Sequence, residues 1–151
     1  MVYSWKSGFK IWTIECYIGG GKADFVVSHL DAPVAVLANT TSQTGNYLAI
    51  QLRSTTRQRD AIGTTVTLVS GGDKPRKWVR QLTAGDGYQA SNQRQLLIGV
   101  GSEQQVNTLE VKWPSGKIDK YSNLPVNRQW MLIESDPSPH LLPGTSPALE
   151  Q

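Results

Sequence analysis

The chain has 151 residues, enough for one ordinary domain or for one domain with a fragment of another, and long enough to bury a core without covalent staples. Its 14 glycines and 8 prolines suit many short strands joined by turns, and it has no run of about 18 apolar residues that would cross a membrane as a helix. The formal charge is +3, and one cysteine, Cys16, excludes an internal disulfide and a thiolate metal cluster.

The charge is unevenly placed. Residues 51–100 carry eight basic groups against three acids, whereas residues 101–151 carry four against six. The middle region therefore offers a surface that attracts anions, although its basic residues fall in separate turns, as they also would on an ordinary solvated face.

Residues 1–18 contain Tyr3, Trp5, Phe9, Ile11, Trp12 and Ile14 at irregular intervals, compatible with one or two short strands. The apolar pattern is too broken for a signal peptide, so none is expected in this chain. Gly19-Gly20-Gly21 is a turn. Lys22–Leu30 and Val34–Asn39 read as two short strands around Asp31-Ala32-Pro33. A hairpin of this kind needs something to pack on, and its unpaired edge predicts self-association into a homo-oligomer. At Asn39–Asn46 the composition turns polar, placing a boundary near residue 40; Asn39-Thr40-Thr41 also fits a glycosylation sequon.

From Tyr47 the alternation is clean, with Leu48, Ile50 and Leu52 on one side of a strand that ends at Arg53. A polar loop covers Ser54–Asp60. Ala61–Ser70 is the next strand, with Ile62, Val66 and Leu68 inward and Gly63 marking a bulge or a close backbone approach. After Gly71-Gly72-Asp73, Lys77–Leu82 returns with Trp78, Arg80 and Leu82 on one side. Gly85-Asp86-Gly87-Tyr88 is a tight loop, and Leu96–Gly101 a buried strand.

Leu109, Val111 and Trp113 alternate with Glu110 and Lys112, and Pro114-Ser115-Gly116 reverses the chain into Lys117–Tyr121. Asn123–Asn127 turns it again before a closing strand, Arg128–Glu134. Four prolines beyond Ser135 predict an extended or disordered tail over 135–151. The sum is an all-β fold: an antiparallel β-sandwich or small barrel of about seven strands over 41–134, after an N-terminal hairpin remnant over 1–40.

Five blocks then stand in a recognisable order: Gly45–Leu48, Arg59–Val66, Gly85–Ser91, Leu97–Gly101 and Leu109–Lys117. Together they resemble the ASPIC/UnbV domain, known from cartilage acidic protein and many bacterial proteins. The resemblance implies an extracellular or periplasmic location and a domain that follows FG-GAP or VCBS repeats, the blades of an integrin-like β-propeller. Gly21–Val27 is similar to the segment closing the calcium loop of such a repeat. The first three ligand positions of that loop fall on Cys16, Ile18 and Gly20, which have no side-chain oxygen, so only Asp24 remains and no metal is expected there.

The chemistry-bearing residues are few. The only histidines are His29 and His140, and neither sits in a pattern that declares a catalytic triad or a zinc site. Asp60 and Asp86 lie in loops and within the family blocks, where they either cap backbone N–H groups or, in an enzymatic reading, act as loop acids. Tyr88 and Trp113 offer rings for a sugar or a protein partner, with Trp78 and Trp113 alternatively in the core. Arg59, Arg80 and Arg94 supply a complementary grip for an anionic group, alongside Asp60, Asp86 and Tyr88. Aromatic and basic residues do not interleave on one predicted surface, so nucleic acid is not expected as a partner. The reading is a non-catalytic accessory module binding protein or glycan, without a cofactor; the alternative is a hydrolase-like enzyme using Asp60 and Asp86.

Overall fold

The computed structural model describes residues 12–16, 22–28, 33–42, 44–71, 74–85 and 92–142. Every regular element among them is a strand. The chain divides into two compact units. Met1–Ile18, Lys22–Thr40 and Gly85–Gln93 make the first, and Gly19–Gly21, Thr41–Ala84 and Arg94–Gln151 the second.

The first unit holds β1 (Trp12–Cys16), β2 (Asp24–Ser28) and β3 (Ala35–Leu37), an antiparallel meander in that order. The register runs from Trp12 opposite Ser28 to Cys16 opposite Asp24, then from Phe25 opposite Leu37 to Val27 opposite Ala35. The expected hairpin thus has a third strand before it. Asp24 is buried, and its carboxylate accepts the Asn39 N–H at 2.8 Å, closing the end of the meander.

The second unit is an open β-sandwich of two four-stranded sheets. One sheet has the order β11-β10-β4-β7, from β4 (Asn46–Arg53), β7 (Gln95–Gly101), β10 (Arg128–Ile133) and β11 (His140–Leu141). The other has the order β6-β5-β8-β9, from β5 (Thr65–Val69), β6 (Lys77–Gln81), β8 (Gln105–Lys112) and β9 (Ile118–Pro125). The period-2 alternation does what it predicts. Leu48, Ile50 and Leu52 of β4 join Val66 and Leu68 of β5, Ile98 and Val100 of β7, and Leu109 and Val111 of β8 in one core. Full burial of each such side chain contributes about 1.5–3 kcal/mol, so this core supplies most of the drive to fold. The opposite face of the β5–β8 sheet is threonine-rich and charged, with Glu110 and Lys120 paired at 3.2 Å across β8 and β9.

Three local readings are corrected. The strand expected from Ala61 begins only at Thr65, because Ala61 has φ 53° and Ala61–Thr64 is a turn closed by the Thr64 N–H and hydroxyl on the Ala61 carbonyl. Gly63 has φ 90° and a Cβ there would meet nothing within 4 Å, so it serves backbone conformation and not a close approach. The chain also does not leave the fold at Ser135. His140 and Leu141 pair with Met131 and Trp130, and the Leu142 N–H reaches the Gln129 carbonyl at 2.9 Å. Proline prevents pairing only where its missing N–H is needed, and a two-residue edge ladder fits between Pro139 and Pro143.

The sandwich is not wholly antiparallel: β10 runs parallel to β4, from Arg128 opposite Leu48 to Ile133 opposite Arg53. The cause is the corner at Val126-Asn127, which carries the chain from one sheet to the other. Asn127 takes φ 54°, a conformation asparagine tolerates, and docks on the first residues of β4. Its N–H donates to the Tyr47 carbonyl at 2.7 Å, and its side-chain oxygen accepts the Tyr47 N–H at 3.2 Å. Two strands that leave one corner together must end together, and that fixes what lies beyond them.

Candidate functional site

Beyond the shared end of β4 and β10 lie Ser54 and Glu134, 80 residues apart in sequence. The Glu134 N–H donates to the Arg53 carbonyl at 2.9 Å, which extends the parallel ladder by one step and turns the Glu134 side chain toward the Ser54–Asp60 loop. That carboxylate is 1 % exposed. A buried carboxylate needs donors, and it has them from two turns. Ser54 Oγ donates at 2.5 Å, Thr56 Oγ1 at 2.9 Å, and the Thr55 and Thr56 N–H groups at 3.0 and 3.2 Å. Ser115, from the β8–β9 turn, donates its hydroxyl to the other oxygen.

Burial alone would raise the Glu134 pKa, but the hydroxyls of Ser115, Ser54 and Thr56 with the Thr55 N–H outweigh it and hold the carboxyl at about 2. Glu134 is therefore ionised at neutral pH, has its oxygens fully occupied, and is a poor proton acceptor.

The loop fixed in this way is tied at several points. Ser54 Oγ, itself donating to Glu134, accepts the Arg57 N–H at 3.2 Å, so order passes from the buried carboxylate to the loop's apex. The Ser54 N–H bonds the Arg59 carbonyl at 3.1 Å, and the Ala61 N–H the Gln58 carbonyl at 2.9 Å. Outward, Asp60 accepts from Arg53 at 3.3 Å and from Arg59 at 3.4 Å. Arg59 is 78 % exposed at its side chain, and among the described residues the exposed Arg57 guanidinium makes no hydrogen bond or ion pair.

The adjoining turn is equally defined. Gly116 takes φ 89°, and Trp113 and Lys117 close the hairpin through a 2.9 Å bond from the Trp113 N–H to the Lys117 carbonyl. Trp113 is 2 % exposed and donates its indole N–H to Asp119 at 2.7 Å. The expectation that its ring meets a ligand is corrected: β8 turns it into the core. Asp119 also accepts the Ser135 N–H at 2.9 Å and lies 3.7 Å from Lys117. Asp136 meets His140 at 2.7 Å, and this hydrogen bond, with one from the Ser138 N–H, lowers the Asp136 pKa. Burial, with Asp119 and Asp136 nearby, pushes the Tyr121 hydroxyl up to about 12, and that hydroxyl donates to the Asp136 carbonyl at 2.9 Å.

Of the residues singled out from the sequence, Arg59 and Asp60 come together. Arg80 stands apart on β6, exposed, its guanidinium on the Val79 carbonyl at 3.0 Å, and no described hydrogen bond or ion pair joins it to Arg59 or Asp60. Trp78 is half-buried against the core, with the Arg76 guanidinium 5.4 Å from its ring centroid. Asp86, Tyr88 and His29 lie outside the described residues. Among the described residues, no group of three or more His, Cys, Asp or Glu side chains is placed to hold a metal ion. The sequence reading missed Glu134, Ser54, Thr56 and Ser115. The one signal was a run of hydroxyl residues, Ser54-Thr55-Thr56, directly after a strand.

The family model described as ASPIC and UnbV matches residues 54–139, the span that opens at Ser54 and takes in Ser115 and Glu134. No curated protein matches the chain.

Proposed function

The chain belongs to the ASPIC and UnbV family, and from that premise we propose that its β-sandwich is a non-catalytic accessory module that binds a protein or glycan partner. One observation carries this reading: among the described residues, Glu134, Asp60, Asp119 and Asp136 at the Glu134 end of the sandwich are each engaged. Glu134 is held by hydroxyls and amides, Asp60 by two guanidinium groups, Asp119 by Trp113 and Ser135, and Asp136 by His140. General acid–base chemistry needs a carboxyl whose oxygens are free to reach a substrate proton, and carboxylates already occupied by donors serve that purpose poorly. Binding needs a fixed surface instead, which such cross-links supply.

We read the β1–β2–β3 meander as the end of an FG-GAP or VCBS blade, with a β-propeller as the neighbour and an extracellular or periplasmic location, as the family resemblance implies. Exposed Val34, Val36 and Leu37 on and beside the edge strand β3 suit contact with such a neighbour or with a second copy. Screening the protein on glycan and protein arrays, together with a hydrolase substrate panel, tests the reading. Reproducible binding without turnover is expected. Turnover abolished by Asp60→Ala or Asp86→Ala would replace it with the enzymatic one.

A further inference from the structure

We propose that the Ser54–Asp60 loop is a recognition element for acidic peptide segments of a partner protein, read by Arg57 and Arg59; this rests on the binding-module reading above and specifies its ligand.

Three features lead there. First, the loop's order is imposed from inside the protein. The chain of donors from Arg57 N–H to Ser54 Oγ to the Glu134 carboxylate leaves little backbone freedom to lose on binding. Second, its polar groups divide cleanly. The Thr55 and Thr56 N–H groups point inward to Glu134, so an incoming anion meets side chains and not a backbone nest. What faces solvent is the Arg57 guanidinium, unpaired among the described residues, and most of Arg59, whose Nε alone touches Asp60, at 3.4 Å. Among the described residues Arg53 and Lys117 pair with Asp60 and Asp119, whereas Arg57 makes no ion pair and Arg59, 78 % exposed at its side chain, gives Asp60 only its Nε.

Third, the neighbouring chemistry selects among anions. A guanidinium presents a planar pair of N–H donors matched to a carboxylate. A sugar ring is commonly held by stacking on an exposed aromatic face, and among the described residues of the two turns the one aromatic, Trp113, is buried with its N–H already bonded. Glutamate- or aspartate-rich peptide therefore fits better than a glycan chain.

The test is fluorescence anisotropy of a labelled oligoglutamate peptide against the full chain, with a heparin oligosaccharide and an oligolysine peptide in parallel. The variants are Arg57→Ala/Arg59→Ala and, as a remote control, Arg128→Ala, an exposed arginine at the start of β10. Oligoglutamate should bind, weaken as salt rises, and lose roughly tenfold or more in affinity in the double variant while Arg128→Ala stays near wild type. All three positions are exposed, so folding should survive, and a urea titration verifies it.

Equal loss in Arg128→Ala and in the double variant would overturn the assignment in favour of undirected charge attraction. Heparin bound through the same arginines in preference to oligoglutamate would overturn it in favour of an anionic glycan. If the array screen finds a partner whose binding ignores Arg57 and Arg59, this proposal fails and the module reading stands. Catalytic turnover would instead bring down the reading beneath it.

Discussion

At the start of the parallel β4–β10 pair the sandwich is tied by amides, and at its end by a carboxylate. The first corner uses Asn127 on Tyr47, the Asn127 side-chain amide on Asn46 at 2.8 Å, and the Asn46 amide on the Glu103 carbonyl at 2.8 Å. Its groups do not titrate. The second uses Glu134 to hold the Ser54–Asp60 loop and the Ser115 turn, and its groups do. Both corners join segments distant in sequence, but a neutral corner holds with equal strength at any pH, whereas an ionised one depends on staying ionised. A fixed negative charge beneath the Ser54–Asp60 loop holds the backbone that carries Arg57 and Arg59.

Removing the charge is the strongest way to break the symmetry between the corners. Glu134→Gln keeps the volume but loses one acceptor oxygen and the charge, and should cost about 3 kcal/mol at pH 7, a fall in Tm of roughly 6–12 °C for a domain of this size. The sign of the pH dependence follows from a folded pKa of about 2 against an ordinary 4.5. The lowered value stabilises the fold fully above about pH 4.5, and the gain is lost as pH falls toward 2. Urea titrations across that window should show wild type and Glu134→Gln converging at the acid end. A constant gap would mean that the carboxylate is not the source of the difference.

At the neutral corner, Asn127→Ala removes the side-chain bonds and places alanine at φ 54°, for an expected loss of about 2 kcal/mol. That loss should be the same at pH 3 and pH 7. Asn127→Gly, which restores the backbone freedom but not the bonds, should recover part of it.

Near the charged corner, Tyr121→Phe tests the alkaline side at about 1 kcal/mol. With the hydroxyl raised from 10 to about 12, the protonated group supports the fold fully below pH 10. That support disappears as pH climbs toward 12, so wild type should lose stability over this window and the variant should not.

How much of these corners could be read in the sequence follows from the range of the forces involved. The Pro114-Ser115-Gly116 turn was legible because glycine at φ 89° and the bond between Trp113 and Lys117 are local events. The inward faces of β4, β5 and β8 were legible because alternation reports burial directly. Strand direction was not, since a period of two reads the same for a parallel and an antiparallel neighbour. Hence β10 gave no sign that it would lie along β4, and without that register Glu134 is only a polar residue closing an apolar strand. Ala61 misled for a related reason. The alternation put Ile62 inward, yet Ala61 is the fully buried residue and Ile62 only half-buried, because Ala61 sits in a left-handed turn that the Thr64 hydroxyl and the Leu82 ladder impose from outside. The tail deceived by composition: its prolines forbid long pairing, yet two residues suffice to cover the β10 edge.

That short edge strand carries the smallest expected effect and the most local one. β11 is held by two residue pairs, by the Leu142 N–H on Gln129, and by His140 against Asp136 at 2.7 Å. The His140–Asp136 pair is exposed, so water and salt compete for it, and removing it should leave global unfolding almost unmoved. What changes is the opening of the strap itself, because few other contacts hold His140 and Leu141 on β10. In His140→Ala, exchange of the Leu142 amide with solvent should quicken while amides of the β4 core keep their wild-type rates. A uniform rise across β4 and β11 would instead join the strap to the cooperative core and give the charged corner a third anchoring segment.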